Sequence, residues 1–65
     1  MRYVFNLTDG KGALNYDSHV CDAANLEEAL KKAAPWVNNM KSEWPDAWLR
    51  VSAEGQTTTF PPGNF

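Results

Sequence analysis

An amphipathic helix flanked by four strand-like runs is the feature that most constrains the fold of this chain. The segment from Leu26 to Met40 repeats apolar residues at helical spacing, and its glutamates and lysines fall outside the apolar stripe. The flanking runs alternate apolar and polar residues, as half-buried strands do. The pattern predicts an α+β fold: a single ββαββ domain, with a four-stranded antiparallel sheet and one helix packed on one face. The stripe consists of Leu26, Ala29, Leu30, Ala33, Val37 and Met40.

Local signals predict where this helix begins, bends and ends. Asn25 is a good N-cap, and Glu28 three residues later completes a capping box. Pro35 lies opposite Leu26 on the helical wheel, at the middle of the solvent face, and the apolar stripe continues beyond it. A proline at such a position bends a helix around the sheet without dividing it. We therefore expect one kinked helix, which ends at Trp44-Pro45-Asp46.

The first hairpin is predicted from alternation and from a turn dipeptide. Residues 1–7 alternate, and Asp9-Gly10 follows, which is a preferred pair for a two-residue hairpin turn. A turn at this position makes the apolar residues of the two strands face the same side. The predicted register sets two pairs opposite each other: Phe5 with Leu14, and Tyr3 with Tyr16.

The second hairpin is predicted to run through residues 47–53 and 56–60, with Glu54-Gly55 as its two-residue turn. This register pairs Leu49 with Phe60 and Val51 with Thr58 on the helix side. The sheet order that keeps all neighbours antiparallel is then 2-1-3-4 or 1-2-4-3. Residues 1–60 form the domain, and residues 61–65 are expected to be an extended C-terminal tail because their prolines cannot continue a strand.

Size and composition exclude several classes of function. A chain of 65 residues forms one domain with a thin core, which leaves no room for a deep substrate cavity. Eight acidic and six basic residues give a net charge of −2, which argues against non-specific nucleic-acid binding. The single cysteine and the absence of a long apolar stretch predict a cytoplasmic protein with no intrachain disulfide and no membrane span.

His19 and Cys21 are the one pair with chemical potential. They share a strand face, and a thiolate with an imidazole is the minimum for nucleophilic catalysis or for the start of a metal site. A metal needs a third ligand, and a nucleophile needs an oxyanion hole and an orienting partner for its base; the sequence offers none of these. A half-buried thiol beside a surface histidine is the simpler interpretation. The prediction is no enzyme, no catalytic residues, no metal and no cofactor.

The sheet face that the helix does not cover is the predicted binding surface. Alternation directs Trp48 and Arg50 outward, and these residue types are enriched in interface hot spots. We expect a protein partner, or a second copy of the chain, to cover them. Two alternatives remain: Trp48 could pack on Pro61, or the face could stack single-stranded bases, although only Arg2 and Arg50 supply charge there. The predicted partner-binding residues are Arg2, Trp48, Arg50, Thr57 and Thr59.

Two resemblances add to this interpretation. The opening Arg2-Tyr3-Val4-Phe5-Asn6-Leu7-Thr8-Asp9-Gly10, with Asn25-Leu26-Glu27-Glu28-Ala29, resembles a family of small uncharacterised bacterial proteins that open Arg-Tyr-Phe-Phe-His. This likeness covers about the first half of the chain and implies no activity. In size, acidity and element order the chain also resembles several phage-encoded anti-CRISPR proteins. That resemblance implies an inhibitor of a host defence complex; the alternative is a small nucleic-acid-binding or regulatory domain.

Overall fold

The computed structural model describes all 65 residues and has the element order ββαββ. All three strand pairs are antiparallel, and the sheet order is β2-β1-β3-β4. The α+β class and the first of the two expected strand orders are thus confirmed. The elements are β1 (Arg2–Thr8), β2 (Asn15–Asp22), α1 (Leu26–Glu43), β3 (Trp48–Ala53) and β4 (Gln56–Phe60).

Helix α1 begins and ends with the expected signals. The Asn25 side chain accepts a hydrogen bond of 2.9 Å from the Glu28 N–H, while the Glu28 carboxylate accepts from the Ala24 N–H at 3.3 Å. Pro35 lies exposed within the unbroken helix. The helix continues to Glu43, and the Trp44 N–H caps it by donating to the Met40 carbonyl. The proline therefore does not divide the helix.

The sheet supplies the large core side chains and the helix supplies the small ones. Phe5, Leu7 and Leu49 are fully buried, and they meet the fully buried Ala29 and Ala33 of α1. Small residues on the helix allow its backbone to approach the sheet closely. The larger stripe residues line the margins of this contact, where each is only half-buried: Leu26, Leu30 and Met40.

The second hairpin has the predicted register. Leu49 pairs with Phe60 and Val51 with Thr58, and the turn residues Glu54 and Gly55 have φ angles of 49° and 80°. Two successive positive φ angles are the signature of the type I′ turn, whose twist matches that of the strands. The local turn chemistry therefore decides the register here.

The predicted register of the first hairpin is wrong. Phe5 pairs with His19 and Tyr3 with Cys21, not with Leu14 and Tyr16. The reason is that Asp9 does not close a two-residue turn. Its carboxylate accepts hydrogen bonds from the backbone N–H groups of Lys11 and Ala13, both at 3.1 Å, and so organises a longer loop from Asp9 to Leu14. A β-bulge follows in β2. Asp17 pairs with Leu7 and Asn15 pairs with Thr8, so Tyr16 is an extra residue without a partner in β1.

The segment after β4 turns back and is not an extended tail. The Asn64 N–H donates to the Pro61 carbonyl at 3.1 Å, and Gly63 has a φ angle of 89°. This turn returns Phe65 to the core, where the Lys41 ammonium lies 5.6 Å from the centre of its ring. Since α1 packs over β2 and β1, Phe65 covers part of the helix flank nearest β4.

Stability should depend on the sheet leucine more than on the helix leucine. Leu49→Ala should cost about 2–5 kcal/mol because Leu49 is fully buried, whereas Leu30→Ala should cost less because its side chain is half-exposed. Both variants remove the same atoms, so urea unfolding compares the two sites directly. Equal losses of unfolding free energy in the two variants would show that α1 lies more centrally over the sheet and buries Leu30 as deeply as Leu49.

Candidate functional site

The sheet surface that α1 leaves uncovered, which we call the open face, carries every predicted partner-binding residue. The strand pairing aligns Ser18, Asn6, Arg50 and Thr59 in one row across the sheet, and Val20, Val4, Ser52 and Thr57 in the next. Trp48 lies opposite Thr8 at one end, and Arg2 lies opposite Asp22 at the other. The predicted inside–outside assignment of β3 is therefore correct.

Trp48 is half-buried on this face because a loop folds over it. A Cβ atom added to Gly10 would lie 2.4 Å from Trp48 Nε1, so the indole sits directly against the glycine backbone. The Thr8 hydroxyl below accepts a hydrogen bond from the Gly10 N–H at 3.5 Å, and Thr8 is only 6% exposed. The predicted full exposure of Trp48 is therefore wrong, because its indole lies against Gly10; packing on Pro61 was the alternative prediction.

Arg50 joins Trp48 at the mouth of a small cleft. One guanidinium nitrogen of Arg50 lies 3.8 Å from the position that a Cβ atom would take at Gly12. The cleft has a volume of about 120 Å³ and combines two cationic side chains, two hydroxyls and one indole. Its lining residues are Thr8, Gly10, Lys11, Gly12, Trp48, Arg50 and Thr59. The structure thus brings Trp48, Arg50 and Thr59 together, while Thr57 and Arg2 lie outside the cleft.

The Asp9 carboxylate holds this loop in place. Burial of the group acts to raise its pKa, but hydrogen bonds from the backbone N–H groups of Leu14, Lys11, Ala13 and Gly12 outweigh that effect and lower the pKa. The carboxylate is therefore ionised at neutral pH and is engaged by the loop backbone. Lys11 and Arg50 remain the charged groups that face the cleft. The position of Lys11 in the cleft could not be predicted, because it depends on a loop that was predicted as a tight turn.

His19 and Cys21 do share a strand face, as predicted, and it is the face toward the helix. His19 stacks on Trp36 with ring centres 5.3 Å apart, and the Trp36 Nε1–H donates to the Asp17 carboxylate at 2.9 Å. Cys21 Sγ lies 3.9 Å from the Ala29 carbonyl oxygen. These contacts connect β2 to α1, and the carboxylate of Asp17 is already engaged by the Trp36 indole. Sequence reasoning missed the position of Asp17 because the register was wrong.

Metal ligation, membrane insertion and similarity to known proteins add nothing to the description of this cleft. No group of three or more His, Cys, Asp and Glu side chains could hold a metal ion. Helix α1 does not combine the length and the apolar character that a membrane-spanning helix needs. No protein-family model, curated protein or solved structure matches the chain.

Substitution of the loop glycines should measure the Trp48 contact. Gly10→Ala and Gly12→Ala both place a side chain at a positive φ angle, 84° and 76°, and each should cost about 1–2 kcal/mol for that reason. Gly10→Ala should cost about 1–3 kcal/mol more, because its Cβ would collide with the indole. Melting temperature and tryptophan fluorescence check this: similar losses in both variants would mean that the indole is free to move.

Acid should weaken the link between β2 and α1. The hydrogen bond from Trp36, followed by those from the Ser18 backbone and the charge of His19, lowers the pKa of Asp17. A pKa that is lower in the folded state gives stability that is present above the unfolded value, near 3.9, and is lost as pH falls through the folded value.

Asp17→Asn keeps an acceptor for Trp36 and removes the titration. Urea midpoints measured from neutral pH to below about pH 4 should therefore fall less steeply for Asp17→Asn than for the wild-type chain. Asp22→Asn is the matched control, because it replaces a carboxylate of the same strand and leaves the hydrogen bond between Trp36 and Asp17 in place. An unchanged slope for Asp17→Asn would assign the acid sensitivity to other carboxylates.

Proposed function

We propose that this protein is a non-enzymatic protein-binding module that acts through the open face of its sheet. The observation that carries the proposal is the cleft in which Trp48, Arg50 and Lys11 meet under the Asp9–Leu14 loop. Aromatic and arginine side chains held in a fixed position are the usual anchors of protein interfaces. The loop holds the indole before a partner arrives, so less conformational freedom is lost on binding.

The charge of the cleft selects the chemistry of the partner. The chain as a whole is acidic, with a net charge of −2, yet the cleft is lined by two basic residues, Lys11 and Arg50, and by no acidic one. An acidic side chain or a carboxyl group on the partner would pair with these cations. The Thr8 and Thr59 hydroxyls offer further hydrogen bonds at the same position. The favoured partner is therefore a protein surface with an exposed Asp or Glu.

The finer proposal is that such binding inhibits a host defence complex, as in the anti-CRISPR proteins that the chain resembles. An inhibitor of this type needs only to occupy a surface, and a small rigid domain with one anchored cleft is sufficient for that. Size, acidity and element order support this proposal. Its direct test is interference with a purified defence complex in the presence of the wild-type chain and of an Arg50 variant.

Single-stranded nucleic acid is the second candidate ligand. A tryptophan with two neighbouring cations is also an arrangement on which bases stack. A salt series distinguishes the two ligands, because nucleic-acid affinity falls steeply and linearly with the logarithm of the salt concentration. Protein docking through one or two ion pairs should show a much weaker dependence.

The charge reversal Arg50→Glu should abolish partner binding without unfolding the chain. Arg50 is exposed, so its packing contribution is small, while loss of a hot-spot cation costs about 2 kcal/mol or more of binding free energy. Trp48→Phe should weaken binding and keep much of the contact with the loop. Lys31→Glu reverses a cation on the outer face of α1, where its partner is Glu27, and serves as the matched control.

The measurement is affinity capture from the source cell, followed by titration of the purified partner, with circular dichroism to verify the fold. A genuine partner should bind the wild-type chain and Lys31→Glu but not Arg50→Glu. Equal binding by all three would place the working surface elsewhere. Loss of binding only in Lys31→Glu would assign function to the helix.

A further inference from the structure

The two edges of the sheet differ in how they resist pairing with another strand. The β2 edge carries a bulge at Tyr16 and the acidic residues Asp17 and Asp22, which are devices that natural proteins use to prevent edge pairing. The β4 edge has none of them. Its five residues, Gln-Thr-Thr-Thr-Phe, contain no charge, no glycine and no proline, and its pairing with β3 is regular.

The hairpin geometry identifies the free backbone groups of this edge. In an antiparallel pair, residues alternate between those bonded to the partner strand and those whose N–H and C=O point away. The two-residue turn is closed by the bonded pair Ala53–Gln56, so Thr58 and Phe60 also bond to β3. The N–H and C=O groups of Thr57 and Thr59 therefore point outward, on a strand that is exposed from Gln56 to Thr59.

We propose that β4 pairs with β4 of a second copy of this chain, antiparallel, about a two-fold axis at Thr58. In this register Thr57 faces Thr59 of the second copy, so their outward groups satisfy each other. Thr58 faces its own counterpart on the axis, and Gln56 faces Phe60. The two sheets become one continuous sheet, and no charged residue of one strand meets a like charge on the other.

The helix side of the sheet gives this pairing additional apolar area. Because α1 packs over β2 and β1, a groove of about 220 Å³ remains beside β4, and its walls include Leu30, Ala34, Phe60 and Phe65. Because Gln56 of one copy faces Phe60 of the other, two-fold pairing brings each groove next to the Gln56 end of the second copy's β4. The Gln56 side chain then covers part of the apolar wall that Phe60 forms. Stable interfaces need such additional area beyond a single strand contact.

The difference between the β2 and β4 edges limits the assembly to two copies. A two-fold contact uses the same edge of each chain, so both β4 edges are consumed. The edges that remain are the two β2 strands, with their bulges and acidic residues. The open face, with Trp48 and Arg50, forms one surface of the joined sheet and stays accessible. The pairing uses the backbone of Thr57 and Thr59 and leaves their side chains on the open face, so it does not rest on the proposed function.

Charge substitutions at Thr58 test the pairing and its register together. Thr58 is exposed in the single chain, so Thr58→Lys and Thr58→Glu should each fold, as circular dichroism and melting can verify. In the dimer each variant places two like charges directly opposite each other, which should raise the dimer dissociation constant by about fivefold or more. A mixture of the two variants places opposite charges at the axis and should restore a mixed dimer.

Sedimentation equilibrium over a wide concentration range, with native mass spectrometry of the mixture, gives the readout. A second comparison uses Thr59, whose N–H points outward: Thr59→Pro removes that donor and should reduce dimerisation, while Thr59→Val retains it and should not. A wild-type chain that is monomeric at every concentration would overturn the proposal, even if β4 captured an extended peptide. A dimer that tolerates both Thr58 variants, or an assembly larger than two, would overturn it equally.

Discussion

The structure depends on the close packing of a small-residue helix stripe against large sheet side chains. Ala29 and Ala33 are fully buried on Phe5, Leu7 and Leu49, and these residues form the centre of the core. Since alanine brings the helix backbone near the sheet, the layer between them is thin and can be filled by a chain of only 65 residues. Strand β1 lies inside the sheet, paired on both sides, which accounts for the complete burial of Phe5 and Leu7.

The position of α1 over β2 and β1 makes the two flanks of the molecule different. On the β2 flank, Trp36 packs against both His19 and Phe5, and Tyr16 stacks on Trp44 with ring centres 4.2 Å apart. These aromatic contacts close that side of the core. On the β4 flank the helix instead contacts the C-terminal turn, where Lys41 lies over the Phe65 ring, and a groove remains beside this contact. The uncharged edge strand β4 lies on the same flank. The position of α1 over β2 and β1 therefore explains both the groove and the exposure of β4.

The two hairpins show what local sequence can and cannot predict. Glu54-Gly55 adopts the turn that its chemistry favours, and the register of β3 and β4 was predicted correctly. Asp9-Gly10 has similar chemistry, but the Asp9 side chain binds its own loop backbone, and the exposed Leu14 lies in that loop and not in the strand. A side-chain hydrogen bond to the backbone thus overrides a turn propensity of similar strength. The cleft could not be predicted, because it depends on this loop.

The candidate site exists only because of the strand order. Gly10 and Lys11 follow β1, whereas Trp48 and Arg50 belong to β3, and the pairing of Thr8 with Trp48 brings the two segments together. In the alternative order 1-2-4-3, which also keeps all neighbours antiparallel, β1 and β3 would form opposite edges of the sheet. Trp48 would then lie far from the loop, with no glycine backbone against its indole. The crossover through α1 that places β3 beside β1 therefore both buries the core of β1 and assembles the cleft on the other face of the sheet.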